Sequence, residues 1–472
     1  MNLIQNPFEF FNKLSEKQKS QYFFGFFCFI FLTVTYVKDW TFERWMISIP
    51  SQLGLPFIWL MPGIGIFVYV GVLLFQFAAN EFSLPFFPIS VPSLYLASIF
   101  FIVTGKFAVT KKLKKSETIK VFFIGLFMLL CIVSVWAFNT GSPEPGLSFR
   151  NWELTHNIEI VFIFLIMVLF IRSFANFKIL YWLVVMCGFA FSLRGFRRFL
   201  GTGYGFNATF MAGYENNSAA LIILSIMPLA VYLIFSEKHL LQKIQSAVIS
   251  FVMFMTVLLP TRSRGAWLGL AFVTFVFLVK RIFKPTTWVI IILGLVLVPV
   301  VIPLLPQEVI DKINTIPQIE QGTAAEDGSI SARTGAIYTS LDLIKKQPFF
   351  GYGLGNSDNV VGIATHNNYL ELAVDLGIIG LLVYLAIVAV SFIEIFLAKR
   401  LLRMHNLKSH PAYFYLDGIQ VGILGFMAAS TFLSVQWQPI IWILFGMSSA
   451  LYGIVKTEIV PNAGKSISTT TR

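Results

Sequence analysis

Thr365-His366-Asn367-Asn368-Tyr369-Leu370-Glu371 joins two kinds of sequence. Before it lies the longest polar stretch of the chain, residues 305–365. After it an apolar run continues to about residue 397 and stops at Lys399, Arg400 and Arg403. About 20 apolar residues in helical form cross a bilayer core of about 30 Å. The chain therefore passes here from an aqueous loop into a membrane, and His366 stands at the crossing.

Such runs recur from end to end. Of 472 residues, 57% are hydrophobic and only 12% charged, and the mean hydropathy is +0.77. Soluble domains carry about 25% charged residues. The expected fold is all-α: a polytopic transmembrane bundle of about 12–14 spans, both termini cytoplasmic. The net charge of +12 does not indicate nucleic acid. The bases sit in short loops between apolar runs, where the positive-inside rule puts them. Cys28, Cys131 and Cys187 all fall in apolar runs, with no metal or disulfide spacing. The first twenty residues read as an amphipathic helix on the cytoplasmic face, without a cleavable signal peptide.

Orientation rests on Lys106, Lys111, Lys112, Lys114, Lys115 and Lys120, opposed only by Glu117. That loop is expected in the cytoplasm. Spans are read at 21–37, 45–60, 64–79, 87–104, 120–138, 157–175, 179–193, 217–235, 246–260, 265–279, 287–304, 369–397, 413–435 and 439–456. Prolines in 45–79 leave open one span plus a re-entrant piece there. Residues 1–456 are thus one transmembrane domain, with 305–368 as a large external loop and 457–472 as a flexible cytoplasmic tail. Within the loop, 331–347 has amphipathic spacing.

Four features interrupt the apolar pattern on the expected external side. Arg194, Arg197 and Arg198 follow the span 179–193, against the positive-inside rule. They read as an anion site, or as side chains reaching lipid phosphates. Arg262 and Arg264 share the four-residue turn Thr261-Arg262-Ser263-Arg264 between two spans. Gly265 opens the next helix, where arginine and helix amides together would suit a diphosphate. Arg333 and the alternating Gly351, Gly353 and Gly355 come third. The glycines suit a tight loop as well as a phosphate cradle. His366, with Asn367 beside it, is last: a general base, or a residue that merely supports the helix start. His156 is a lesser candidate; His239, His405 and His410 read as solvated on the cytoplasmic side. No metal spacing and no cofactor motif is evident.

Three of these segments, taken in order, resemble the bacterial O-antigen ligase and polymerase family. Thr261 to Trp267 is similar to its arginine-bearing external loop. Gly351-Tyr352-Gly353-Leu354-Gly355-Asn356 is similar to its glycine segment. His366-Asn367, nine residues and then Gly377-Ile378-Ile379-Gly380 resembles the ligase histidine pattern. Tyr214-Glu215-Asn216-Asn217-Ser218-Ala219 looks like the polar start of a family helix. The resemblance implies a membrane-embedded glycosyltransferase of the bacterial inner membrane, with its active site on the periplasmic side. It implies an undecaprenyl-diphosphate-linked glycan donor and inverting, metal-independent transfer. The acceptor would be a glycan, a lipid A core or a protein. It implies His366 as the base that activates the acceptor hydroxyl and Arg264 as the donor-diphosphate arginine. Arg194 or Arg197 would be the second phosphate ligand.

An anion transporter is the competing class. A transporter places ionisable residues near the bilayer midplane. Glu159, Glu371 and Asp375 instead lie near span ends, as do Glu394 and Asp417.

Overall fold

The computed structural model describes residues 83–84, 87–90, 115–138, 164–165, 167–168, 171–202, 216–261, 263–281, 283–284, 328–432 and 438–463. The expected spans 21–37, 45–60, 64–79 and 287–304 lie outside these, as do His156, Arg262 and Tyr214-Glu215. The fold is all-α and polytopic. Its helices are α1 (Lys115–Phe138), α2 (Phe174–Thr202), α3 (Asn216–Ser236), α4 (Leu240–Leu258) and α5 (Arg264–Arg281). Then come α6 (Gly328–Lys346), α7 (Ser357–Val361), α8 (Asn368–Met404), α9 (Pro411–Ala429) and α10 (Pro439–Ile454). Six helices among the described residues are long and apolar enough to cross a membrane. Among the described residues the exception to helical elements is a small antiparallel ladder, Ser83–Leu84 with Phe87–Ser90, where a span was expected to begin at 87. Pro85 and Pro88 lack the amide hydrogen that a continuing helix needs.

Glycines on α9 let it pack closely. A Cβ on Gly418 would lie 2.2 Å from the Tyr181 hydroxyl, and one on Gly422 would lie 2.5 Å from the Ser225 carbonyl. In lipid, apolar burial does not drive helices together, so backbone contact of this kind supplies the packing. At the periphery, α4 leaves Ile244, Val248 and Phe251 exposed, spaced along one face as lipid contact requires.

Three boundaries differ from expectation. First, α2 runs through Thr202. Arg194, Arg197 and Arg198 are therefore on a helix, not in a loop beyond it. Nothing in Arg194–Leu200 breaks a helix, apart from Gly195. Second, helix continues past α10 in a π-turn, Val455–Ile459, and on through Ala463, into the stretch read as tail. Glu458 explains its order, because its carboxylate accepts the Phe174 N–H at 2.8 Å and so caps α2.

Third, Lys120 is not a loop residue. It is fully buried on α1, its ammonium 2.6 Å from the Glu394 carboxylate on α8. It also donates to the Phe445 carbonyl and to the Ser448 and Ser449 hydroxyls on α10. An isolated charge in hydrocarbon is costly, and only such saturation offsets it. The cluster ties α1, α8 and α10 together.

Candidate functional site

Helix α8 starts with a cap supplied by its own sequence. The Asn367 side chain accepts the N–H groups of Tyr369 and Leu370 at 3.0 and 3.1 Å. Just before it, His366 has φ 50°, an uncommon conformation for a residue other than glycine. Strained backbone of this kind concentrates at functional sites. The imidazole is half-buried. Asp358, on α7, is in electrostatic contact with it. Burial pushes the Asp358 carboxyl above the usual carboxylate range, and His366 pulls in the opposite direction.

Two turns into α8 the helix breaks. Gly377 has φ 70° and ψ −178°. The glycine segment docks against this break, backbone on backbone. Tyr352 and Gly353 donate their N–H groups to the carbonyls of Val374 and Asp375 at 2.8 and 3.0 Å, and Ile378 donates to Pro348 at 2.7 Å. A Cβ on Gly377 would sit 2.1 Å from the Phe349 carbonyl oxygen, and one on Gly351 would sit 2.3 Å from that of Val374. Leu354 N–H bonds the Ser134 hydroxyl of α1 at 2.9 Å.

Asp375 completes the joint. It is 1% exposed, and its carboxylate accepts the N–H groups of Gly355, Asn356 and Ser357 at 2.9, 3.1 and 2.8 Å. The amides of Gly353 and Gly355 are therefore engaged within the protein, and the segment is a tight loop held by a carboxylate. In the sequence Asp375 reads as one more acid near a span end. The signal was present: a carboxylate inside an apolar helix, two residues before a glycine, needs a partner.

The turn between α4 and α5 is compact. Ser263 accepts the Ala266 N–H at 3.2 Å, and the Trp267 indole donates to the Leu258 carbonyl at 3.0 Å. Arg264 is the first residue of α5. A Cβ on Gly265 would lie 3.0 Å from Cβ of Phe432, just beyond α9. The same end of α9 holds the start of α8, because the Tyr369 hydroxyl donates to the Met427 carbonyl and accepts from Ser430. Met427 to Phe432 thus links the helix start bearing Arg264 to the one that follows His366.

Arg194 is buried on α2, two residues beyond Ser192, whose carbonyl accepts from Thr256 near the end of α4. Arg197 and Arg198 are half-buried one turn further on. Spacings of three and four place both on the Arg194 face. Arg333 is exposed on α6. His410 departs from the solvated role expected of it. It caps α9 by accepting the Ala412 N–H and packs against Phe174 with ring centroids 4.9 Å apart. Burial, followed by the charge of Lys238, holds it below the usual histidine range. Among the described residues no three His, Cys, Asp or Glu side chains gather as a metal site requires.

No curated protein matches this chain. Residues 248–385 match the family model described as O-antigen ligase. The match runs from α4 through the arginine turn, α5, α6 and α7 to the broken part of α8. It includes Arg262, Arg264, Gly265, Arg333, Gly353, Gly355, His366 and Asn367, and it stops short of Arg194 and Arg197. It supports a function of the O-antigen ligase or polymerase type, with a lipid-linked glycan and an acceptor as substrates in general terms. The chain is a multi-pass helical membrane protein whose residues 248–385 match the O-antigen ligase family.

Proposed function

We propose that this protein is a membrane glycosyltransferase that moves a preassembled glycan in one step from undecaprenyl diphosphate to an acceptor hydroxyl. The observation that carries the reading is the setting of His366 within the O-antigen ligase segment. It is strained at φ 50°, precedes a capped helix, and adjoins a loop locked onto the helix break. The arginine turn is tied to the same helix start through α9.

In this reading His366 takes the acceptor proton as the acceptor oxygen attacks the anomeric carbon. The bond from that carbon to the diphosphate oxygen breaks on the opposite face, which inverts the configuration. Negative charge develops on the departing diphosphate. Arg264, with Arg194 or Arg197, would meet it in a low-dielectric setting. Guanidinium groups supply the positive charge, so no step requires a metal ion. Asp358 would stabilise the imidazolium once it forms. Ligase and polymerase differ here only in acceptor: a lipid A core or a protein in one case, a growing glycan in the other.

The positive-inside rule puts Lys178, Lys243, Lys280, Lys399 and Arg403 in the cytoplasm. His366 would then face the periplasm of a bacterial inner membrane. An outside reagent should label a cysteine at Ala325 and miss one at Leu113; the reverse pattern overturns the sidedness.

The chemical test is transfer of a lipid-linked glycan by purified, detergent-solubilised protein. His366→Ala should lower turnover by ~10²–10⁴-fold while donor binding survives. Arg264→Lys should also fail, since an ammonium lacks the bidentate grip of a guanidinium. Wild-type turnover in His366→Ala would remove the base assignment.

A further inference from the structure

At the end of the bundle opposite His366, α5, α8 and α9 bring two lysines onto one aspartate. Lys280 lies in the last turn of α5, Lys399 near the end of α8 and Asp417 in the second turn of α9. Both ammonium groups donate to the same oxygen, Oδ1 of Asp417, at 2.5 and 2.7 Å. Lys280 also donates to Gln420 Oε1 at 2.6 Å. Arg281 is adjacent, its guanidinium 3.5 Å from the centre of the Phe235 ring. Two ammonium groups thus share one carboxylate oxygen.

Donor capacity is also in excess. An ammonium has three N–H groups. Lys399 spends one on Asp417 and lies 4.7 Å from the centre of the Tyr413 ring. The Tyr232 hydroxyl, on a residue 2% exposed, has no hydrogen-bond partner among the described residues. Its electrostatic neighbours are Asp417, Arg281 and Tyr413. A buried hydroxyl left unpaired is costly and calls for an acceptor. Both lysine side chains remain accessible, 24% and 15% exposed.

A cation would be repelled here, and a neutral ligand would leave the charge excess in place. An anion with several oxygens answers both the charge and the spare donors. We propose that Lys280, Lys399 and Tyr232 form a binding site for a phosphate-bearing anion at the end of the bundle opposite His366. The half-buried rings of Phe235, Phe277 and Tyr413 border the site. It lies at helix ends, the level at which lipid headgroups meet a membrane protein. The phosphate is therefore that of a phospholipid headgroup or a free one from solution. The inference is independent of the catalytic reading.

The test is native mass spectrometry of the full-length protein in a neutral maltoside detergent. Dioleoylphosphatidylglycerol, dioleoylphosphatidylcholine and orthophosphate are titrated separately, then orthophosphate against bound phosphatidylglycerol. Retention of phosphatidylglycerol over phosphatidylcholine identifies a lipid site. Orthophosphate binding that displaces phosphatidylglycerol identifies a free-phosphate site. In either case Lys280→Gln and Lys399→Gln should each weaken binding about fivefold, the weight of one basic group at an anionic lipid surface. Asp417→Asn keeps the shape and raises the positive excess, so it should tighten binding; mere damage to the fold would loosen it. Tyr232→Phe, which leaves every charge in place, should weaken binding. Equal retention of both lipids with no orthophosphate binding, or wild-type affinity in the Lys280→Gln/Lys399→Gln double variant, overturns the proposal.

Discussion

The Asp375 carboxylate accepts the Ser357 N–H at 2.8 Å and so fastens the loop before His366 to the helix after it. The same carboxylate takes the N–H groups of Gly355 and Asn356. Hydrogen bonds to a charged group contribute about 1.5–3 kcal/mol each. Asp375→Ala leaves three amides without their acceptor and should destabilise this joint by about 3–5 kcal/mol. Hydrogen exchange at Leu354 to Ser357 should accelerate far more than exchange in α3. Unchanged protection there would mean that the loop is held by Ser134 and the backbone contacts alone.

The break at Gly377 leaves no room for a methyl group. Gly377→Ala would place a Cβ 2.1 Å from the Phe349 carbonyl oxygen, at φ 70°. Backbone on both sides must shift, at about 3 kcal/mol or more. Gly335→Ala is the contrast, since nothing lies within 4 Å of its Cβ position on α6. There the methyl should stabilise by up to about 1 kcal/mol. Thermal unfolding of the two variants should shift in opposite directions.

The buried pair Lys120–Glu394 is expected to be costly to break singly. Lys120→Met leaves the buried Glu394 carboxylate without its counter-ion, against the hydroxyls of Ser448 and Ser449, and should cost about 3–5 kcal/mol. Lys120→Met combined with Glu394→Leu should recover much of the loss, because two apolar groups need no partner. A double variant no better than Lys120→Met alone would show that the serine hydroxyls of α10 depend on the pair.

The pH dependence of α7 follows from Asp358. Its folded carboxyl binds a proton more tightly than the unfolded one, because burial raises its pKa. The folded form therefore holds more protons just above the ordinary carboxyl range, and stability falls as pH rises through that window. Protection of the amides at Asn359 to Gly362, relative to their intrinsic exchange, should fall as pH rises just above the ordinary carboxyl range, and Asp358→Asn should abolish that fall. His366→Ala removes the opposing pull and should move the transition to higher pH. A transition that ignores both variants would assign the effect to another group.

Sequence alone determined the class of this protein and pointed to a candidate site. Apolar runs of spanning length leave the backbone no solution in lipid but helix, and that constraint is local enough to read residue by residue. The meeting of the polar loop with α8 at His366 was legible for the same reason. The tertiary structure decided what depends on distant residues. Lys120 reads as a cytoplasmic charge until Glu394, 274 positions away, is folded against it. Asp375 reads as one acid among several until the loop amides of Gly355 to Ser357 close on it. The alternating glycines are equally a cradle and a turn until Val374 and Gly377 show what their missing side chains admit. A charge or a glycine in a helical membrane protein takes its meaning from the backbone groups beside it, and which groups those are is set by helix packing.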